Sequence, residues 1–132
     1  MTDCIFCKII KGEIPCHKVY EDDNFLAFLD IRPLNKGHTL VIPKKHHRWV
    51  WDVPNIGEYY KIVQKIVLAI KKVFDIDYVV SLTFGEEVAH AHVWLVPRFD
   101  GDGHGGAIDL KLIRNVPDEE MNEIAAKIAE NI

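Results

Sequence analysis

A stretch of alternating residue types between Gly85 and Arg98 constrains the fold more than any other part of the chain. The residues from Ala89 to Val96 predict a β-strand, whose side chains point alternately to its two faces. One face would be small and apolar, which suits packing against a helix. The other face would carry imidazole and indole rings in a row, through Val88, His90, His92, Trp94 and Val96. Two histidines on one face beside a large aromatic ring favour a chemical site over a merely hydrogen-bonded pair.

The remaining segments predict an antiparallel sheet with one long inserted helix. Runs of β-branched and aromatic residues between turn signals predict strands at 18–20, 25–29, 38–42 and 78–84. Apolar residues spaced by three and four predict a helix from Asn55 to Phe74, with Asn55 and Glu58 arranged as in a capping box. A short helix is expected at 4–10, and a final helix is expected to begin at Pro117. Strands that come in runs, not in βαβ units, predict an α+β fold, and the lack of repeats or linkers predicts a single domain over 1–132.

The overall charge and hydropathy limit the classes of partner. The 132-residue chain has a formal net charge of −4, whereas a protein that binds duplex nucleic acid would normally present a basic face. Its apolar runs are shorter than the ~18 residues that cross a bilayer. Its first residues lack the basic and apolar regions of a secretory signal. We therefore expect a cytoplasmic protein without nucleic-acid or membrane partners.

The chain has three cysteines, Cys4, Cys7 and Cys16. An odd number in a chain without a secretory signal does not indicate a disulfide framework. The spacing Cys4-x-x-Cys7 is that of half a zinc site. Without ligands from elsewhere in the chain, the alternative is a pair of inert thiols.

Three further features have simple structural explanations. The loop from Gly101 to Gly106 is rich in glycine but lacks the strand-loop-helix context of a phosphate-binding loop, so we predict a mobile surface loop. Residues 108–113 predict a short strand or an extended arm. Trp49 and Trp51 are expected to pack over the sheet edge or at a subunit interface.

The central stretch resembles the signature of the histidine triad (HIT) family, in which His-φ-His-φ-His-φ-φ follows Gly-Gln-x-Val-x and often precedes Pro-Arg. The matching residues are Gly85, Val88, His90, His92, Pro97 and Arg98. Earlier blocks, including Cys-Ile-Phe-Cys-Lys-Ile-Ile and Lys-Gly-His-Thr-Leu-Val-Ile-Pro-Lys-Lys-His, resemble the Hit/Hint-like branch in the same order. The resemblance covers most of the chain. It implies the HIT fold, an antiparallel sheet of about five strands with two main helices, doubled in a homodimer.

The resemblance also implies a nucleotide-processing site. The family binds purine nucleotides and related phosphates, and its middle histidine attacks the α-phosphorus to give a nucleotidyl-histidine, which water or another acceptor then cleaves. By position that nucleophile is His92, with His38 and His90 as the other active-site histidines. Asp30 matches the residue that binds the ribose hydroxyls, a role that suits two carboxylate oxygens. Ile31 would flank the base.

The resemblance supplies the missing half of the metal site. In relatives with this Cys-x-x-Cys, the histidine of the Ile-Pro-Lys-x-His block and the first histidine of the triad complete a tetrahedron, which here implies Cys4, Cys7, His46 and His90. Four protein ligands leave no open position, so the implied zinc is structural and would orient His92 through its neighbour. A competing interpretation places one catalytic metal between His90 and His92, which would leave both cysteines without partners.

Two positions depart from the family pattern beside the expected phosphate site. Glu86 replaces a glutamine, and Trp94 replaces the third histidine. An indole N–H donates a hydrogen bond but exchanges no proton near neutrality. Together with Val88, these residues are expected to line the substrate site. Two hypotheses follow: an enzyme that hydrolyses or transfers a nucleotidyl group through His92, or a zinc-stabilised nucleotide-binding or interaction module with little or no turnover.

Overall fold

The computed structural model describes residues 4–132, which form five strands, three α-helices and a short 3-10 helix at Val50–Asp52. The α-helices are α1 (Ile5–Ile10), α2 (Ile56–Phe74) and α3 (Asp118–Glu130). The strands are β1 (Lys18–Glu21), β2 (Phe25–Leu29), β3 (Thr39–Pro43), β4 (Val79–Phe84) and β5 (His92–Pro97). These elements confirm the predicted α+β class, with one long helix between a short N-terminal helix and a C-terminal one.

All five strands belong to one antiparallel sheet with the order β1-β2-β3-β5-β4. The long helix α2 carries the chain from β3 to the far edge, where β4 begins, and β5 then returns between them. The pairing places Trp94 of β5 opposite Leu40 of β3 and Leu82 of β4. The histidine-bearing strand therefore lies inside the sheet, next to the strand that follows His38.

The two faces of the sheet bury different partners. On one face, Ala91, Val93 and Leu95 join a buried cluster with apolar residues of α2 and α3. On the other face, Val88 and Trp94 pack against a smaller cluster that contains Phe6 of α1. Burial of a large apolar side chain contributes about 1.5–3 kcal/mol, so both clusters stabilise the sheet. This division confirms the alternation of faces that the sequence predicts around His90 and His92.

The structure differs from the sequence prediction at three local points. β5 begins at His92 instead of Ala89, because the Ala91 amide donates to the His47 carbonyl of another loop at 2.6 Å. Asn55 precedes α2 without a side-chain capping bond. Residues 108–113 form irregular chain with a turn at 110–111, so the strand alternative for them is wrong.

Among residues 4–132, none of the helices combines the length and the hydropathy that a membrane span requires.

Candidate functional site

His92 begins β5, and a backbone carbonyl holds its ring in one tautomer. A carbonyl only accepts, so the 2.7 Å contact between Nδ1 and the His90 oxygen places the ring proton on Nδ1. The lone pair of Nε2 therefore stays available. The ring is buried, which lowers the pKa of His92, and it meets the ring of Phe6 edge-on at 5.2 Å between centroids. A neutral imidazole with a free Nε2 lone pair has the form of a nucleophile.

His38 lies directly before β3 and is fully buried. Its Nδ1 accepts a hydrogen bond from the Leu34 amide at 3.1 Å, which leaves the ring proton on Nε2. That Nε2 has no hydrogen-bond partner among the described residues and lies 3.7 Å from the Asp30 carboxylate. Burial lowers the pKa of His38 to about 3 and raises the pKa of Asp30. His38 is therefore a neutral N–H donor that faces the carboxylate expected to bind ribose.

The burial of neutral His38 makes the free energy of unfolding depend on pH. Its pKa is about 3 in the folded protein and 6.5 for an ordinary histidine, so between these values only the unfolded chain takes up the proton. The stability from this site is complete above pH 6.5 and is lost as the pH falls towards 3, at about 1.4 kcal/mol per pH unit. His38→Asn keeps an acceptor for the Leu34 amide but has no titrating ring. We expect urea unfolding at a series of pH values to give a flatter decline for His38→Asn. Equal slopes would contradict this assignment.

Trp94 forms a wall of the same site. Its ring meets His38 edge-on at 4.9 Å between centroids, and it meets Phe84 at 5.0 Å. The distance between its centroid and that of His92 is 6.5 Å. The indole thus joins His38 and His92 into one surface, but it supplies no group that titrates near neutrality.

The other predicted substrate residues are more exposed. Ile31 has 76% of its surface exposed next to Asp30 in the chain, and Glu86 is exposed as well. Val88 is half-buried against the cluster that contains Phe6. An exposed apolar side chain next to a carboxylate suits a ligand that carries both a flat ring and hydroxyl groups.

The four predicted metal ligands, Cys4, Cys7, His46 and His90, converge between α1, the loop after β3 and the residues before β5. Their ligating atoms all lie within 4.8 Å of one another. The Cys4 Sγ–His90 Nδ1 distance is 3.4 Å and the Cys7 Sγ–His46 Nδ1 distance is 3.3 Å. A tetrahedral zinc ion would separate sulfur and nitrogen ligands by about 3.6 Å. The donor set therefore fits a closed Cys2His2 zinc site.

The orientation of His90 separates the metal cluster from His92. Nδ1 of His90 faces the two cysteines, while its Nε2–H donates to the Pro43 carbonyl at 2.8 Å. Such a second bond fixes the tautomer and orientation of a ligating histidine. Burial lowers the pKa of His90 to about 4, which keeps the ring neutral for ligation. Both nitrogens of His90 are engaged away from His92, so this geometry disfavours a metal shared by the two.

Sequence reasoning missed the side chains that support the site from behind. Phe6 of α1 lies against His90 as well as His92. The glycine-rich loop is also not simply exposed: His104 is buried, and Asp102 accepts a hydrogen bond from Arg98 at 2.9 Å. The sequence does contain one signal of this structure, because Asp102 and His104 stand between the glycines. A loop that is only mobile and exposed does not require such side chains.

Comparison with known proteins gives relatives along the whole chain. A family model described as HIT domain matches residues 11–101. An uncharacterised HIT-like protein of Methanocaldococcus jannaschii is 46% identical over 128 residues, covering 92% of this chain and 98% of that protein. The crystal structure of a Hit-like protein involved in cell-cycle regulation from Bartonella henselae has a TM-score of 0.83 at 38% identity, covering 100% of this chain and 98% of that one. A zinc-bound histidine triad family protein of Mycobacterium smegmatis has a TM-score of 0.75 at 34% identity, covering 98% and 95%.

Two further relatives are named as enzymes. An adenosine 5'-monophosphoramidase of Saccharomyces cerevisiae is 41% identical over 102 residues, covering 74% of this chain and 63% of that enzyme. An adenylylsulfatase of Arabidopsis thaliana is 33% identical over 138 residues, covering 99% of this chain and 70% of that enzyme. The similar proteins thus include named hydrolases of adenylyl compounds as well as uncharacterised proteins.

Proposed function

This chain belongs to the HIT domain family, and we propose that it binds a purine nucleotide and hydrolyses or transfers the nucleotidyl group through a covalent bond to His92. The proposal rests on the ring of His92, whose Nδ1–H is held by the His90 carbonyl, which leaves Nε2 unprotonated. The monophosphoramidase and adenylylsulfatase relatives support an adenylyl group as the part transferred. Nucleoside phosphoramidates and dinucleoside polyphosphates are the substrate classes that we propose.

The proposed reaction has two displacements at phosphorus. Nε2 of His92 first forms a bond to the α-phosphorus as the bond to the leaving group breaks. The leaving group takes the electron pair, and an amine leaving group also takes a proton from solvent. An oxygen of water or of another acceptor then attacks the same phosphorus, the P–N bond breaks, and neutral His92 is restored while the acceptor loses a proton. Covalent capture divides one difficult displacement into two easier ones. Asp30 would bind the ribose hydroxyls and Ile31 would flank the base.

Incubation with a substrate followed by mass spectrometry tests the proposal directly. We expect the intact protein to gain the mass of one adenylyl group after brief exposure to adenosine phosphoramidate, with the added mass on the peptide that contains His92. A general test with several dinucleoside polyphosphates covers the second substrate class. Adenylylation of another residue would move the nucleophile, and the lack of both adduct and turnover would favour a nucleotide-binding module without catalysis. Trp94 and Glu86 are the departures that favour this second function.

The side chain at position 94 is expected to control the second displacement. The indole cannot protonate a leaving group, so substrates with good leaving groups should react best in the first displacement. In the second displacement the indole accepts no proton from the attacking water and its bulk beside His92 restricts access, so with such substrates the adenylyl-enzyme should form in a burst and decay slowly. Trp94→His should speed the decay by about 10²-fold, the usual scale of a general acid–base group. Trp94→Phe, which restores no titrating group, is the matched control. Rapid-quench measurement of the burst and of the steady rate distinguishes them. A burst followed by equally slow decay in all three proteins would contradict this role.

We further propose a homodimer. β4 is an edge strand whose residues are all at least partly exposed, and unpaired strand edges favour association. Trp51 has 73% of its surface exposed near the start of α2. We expect sedimentation equilibrium at micromolar concentration to give the mass of two chains. Trp51→Lys should weaken the dimer, whereas Leu110→Lys, at a position that is also exposed, should not. A mass of one chain for the unaltered protein would contradict the proposal.

The metal and the cellular compartment complete the proposal. Cys4, Cys7, His46 and His90 would hold a structural zinc ion, which would tie α1 to the residues before β5. A bound zinc ion requires deprotonated, reduced thiols. All three cysteines are free, and this supports a reducing compartment such as the cytoplasm.

A further inference from the structure

The glycine-rich loop and the arm after it bond to the segment that connects Asp30 with His38. We refer to residues 102–114, which lie between β5 and α3, as the clamp. The clamp contacts Pro33 and Leu34, which lie between the two side chains proposed to bind the nucleotide. The proposed reaction does not use the clamp itself, so its buried polar groups need another explanation.

One bond from the clamp acts on the peptide group between Pro33 and Leu34. The Arg114 amide donates to the Pro33 carbonyl at 2.7 Å. The N–H of the same peptide group belongs to Leu34 and donates to Nδ1 of His38 at 3.1 Å. A bond to the carbonyl of an amide polarises its N–H, so the two bonds strengthen each other. The clamp is thus connected to the ring of His38 through a single peptide group.

His104 holds the other backbone polar group of Leu34. Its Nε2–H donates to the Leu34 carbonyl at 2.8 Å, and its Nδ1 accepts from the Asp109 amide at 3.0 Å. These two bonds fix one neutral tautomer of His104, which has 6% of its surface exposed. Nε of Arg114 is a second, longer donor to the same carbonyl at 3.3 Å. Leu34 is therefore fixed at both its N–H and its C=O.

Asp102 gives the clamp a defined shape. Its carboxylate accepts from the Arg98 side chain at 2.9 Å and from the His104 amide at 3.1 Å, and Arg98 holds the pKa of Asp102 well below its usual range. Nδ2 of Asn35 also donates to this carboxylate at 3.0 Å. Gly103, between the two functional residues, has φ +85°, a conformation that other residues rarely adopt. The position of His104 is therefore imposed by its surroundings.

We propose that His104 is a positioning residue which, through Leu34, fixes the Nε2–H tautomer of His38 and presents that N–H beside Asp30. Among residues 4–132, neither ring nitrogen of His38 has another hydrogen-bond partner, so its tautomer depends on the Leu34 amide. If Leu34 shifts, His38 gains freedom to carry its proton on Nδ1, and Nε2 then becomes an acceptor that repels the carboxylate or a ribose oxygen. The effect on nucleotide affinity rests on the proposed function, whereas the effect on the ring of His38 does not.

Two substitutions of His104 separate its two hydrogen bonds. His104→Gln places an N–H near the position of Nε2, within reach of the Leu34 carbonyl, while His104→Asn keeps only an acceptor near Nδ1 for the Asp109 amide.

Imidazole ¹⁵N spectra report the tautomer of His38, and titration with AMP reports affinity. We expect His104→Asn to give a mixture of His38 tautomers and about fivefold weaker AMP binding, the effect of one neutral hydrogen bond, with the second donor of Arg114 limiting the loss. His104→Gln should retain the unaltered behaviour. His17→Ala, which removes a histidine bonded to Asn122 of α3, is the control and should change neither measurement.

Unchanged His38 spectra in His104→Asn would overturn the inference. Changed spectra with unchanged AMP affinity would support the role of His104 in fixing the His38 tautomer and would overturn only its effect on nucleotide binding. Failure of the unaltered protein to bind AMP would overturn the proposed function instead, and the spectra would still decide the role of His104. If His104→Asn does not fold, the coupling between the Leu34 amide nitrogen and Nδ1 of His38 in the unaltered protein gives a second test. A measurable coupling supports the Leu34–His38 bond, and a His38 ring with its proton on Nδ1 refutes it.

Discussion

Replacement of His92 by glycine should abolish turnover while leaving nucleotide binding largely intact. The change removes the Nε2 lone pair that would attack phosphorus, and we expect the rate to fall by on the order of a thousandfold or more. Affinity should persist because it depends on Asp30, on the apolar surface near Ile31 and on backbone donors. Steady-state hydrolysis of adenosine phosphoramidate, together with calorimetric titration of AMP, measures the two quantities separately.

His92→Asn is the matched variant for this prediction. Asparagine keeps an N–H that is able to donate to the His90 carbonyl and fills part of the space beside Phe6, but it has no nucleophilic nitrogen. If chemistry alone is lost, both variants should be equally inactive and should bind AMP alike. Full turnover in His92→Gly would move the nucleophile to another residue. Activity retained in His92→Asn alone would mean that His92 only shapes the site.

The alternation around His90 and His92 was predictable because a strand repeats every two residues whatever surrounds it. It correctly separates the faces that carry Val93 and Trp94. The start of β5 was not predictable, because it depends on a bond from the Ala91 amide to a loop that is distant in sequence. Local periodicity therefore gives the direction of the side chains, while tertiary hydrogen bonds decide where the ladder begins.

In the candidate site, too, local sequence patterns predict only the features that do not depend on tertiary contacts. Cys4 and Cys7 indicate half a metal site by their spacing, but His46 is 39 residues from Cys7 and its place came from resemblance, not from spacing. No pattern in the sequence links His104 to Leu34, which lie 70 residues apart. A glycine-rich segment predicts a loop but not which kind of loop. Glycine permits both a free surface loop and a loop that is bent around a buried carboxylate. Only the fold reveals which of these has formed.

Loss of both cysteines should remove the metal and lower the stability of the whole protein. Cys4→Ser with Cys7→Ser leaves His46 and His90 as the only ligands, and two imidazoles do not retain a zinc ion against dilution. A ligand that binds only the folded state at a thousandfold excess over its Kd stabilises that state by about 4 kcal/mol. For a chain of this size, a loss on that order lowers Tm by roughly 10 °C or more. Elemental analysis of protein purified without added metal, and thermal unfolding with and without a chelator, measure the two effects.

Cys16→Ser is the control for this prediction, since Cys16 is a free thiol outside the four-residue cluster. It should keep about one zinc per chain, the content of one closed four-ligand site. The chelator should lower the Tm of the unaltered protein and of Cys16→Ser, but not that of the double variant, because nothing remains for it to remove. Full zinc content in the double variant would rule out this ligand set. Loss of zinc without any change in Tm would show that the metal does not tie α1 to His90, and the orientation of His92 would then depend on the Pro43 and His90 backbone bonds alone.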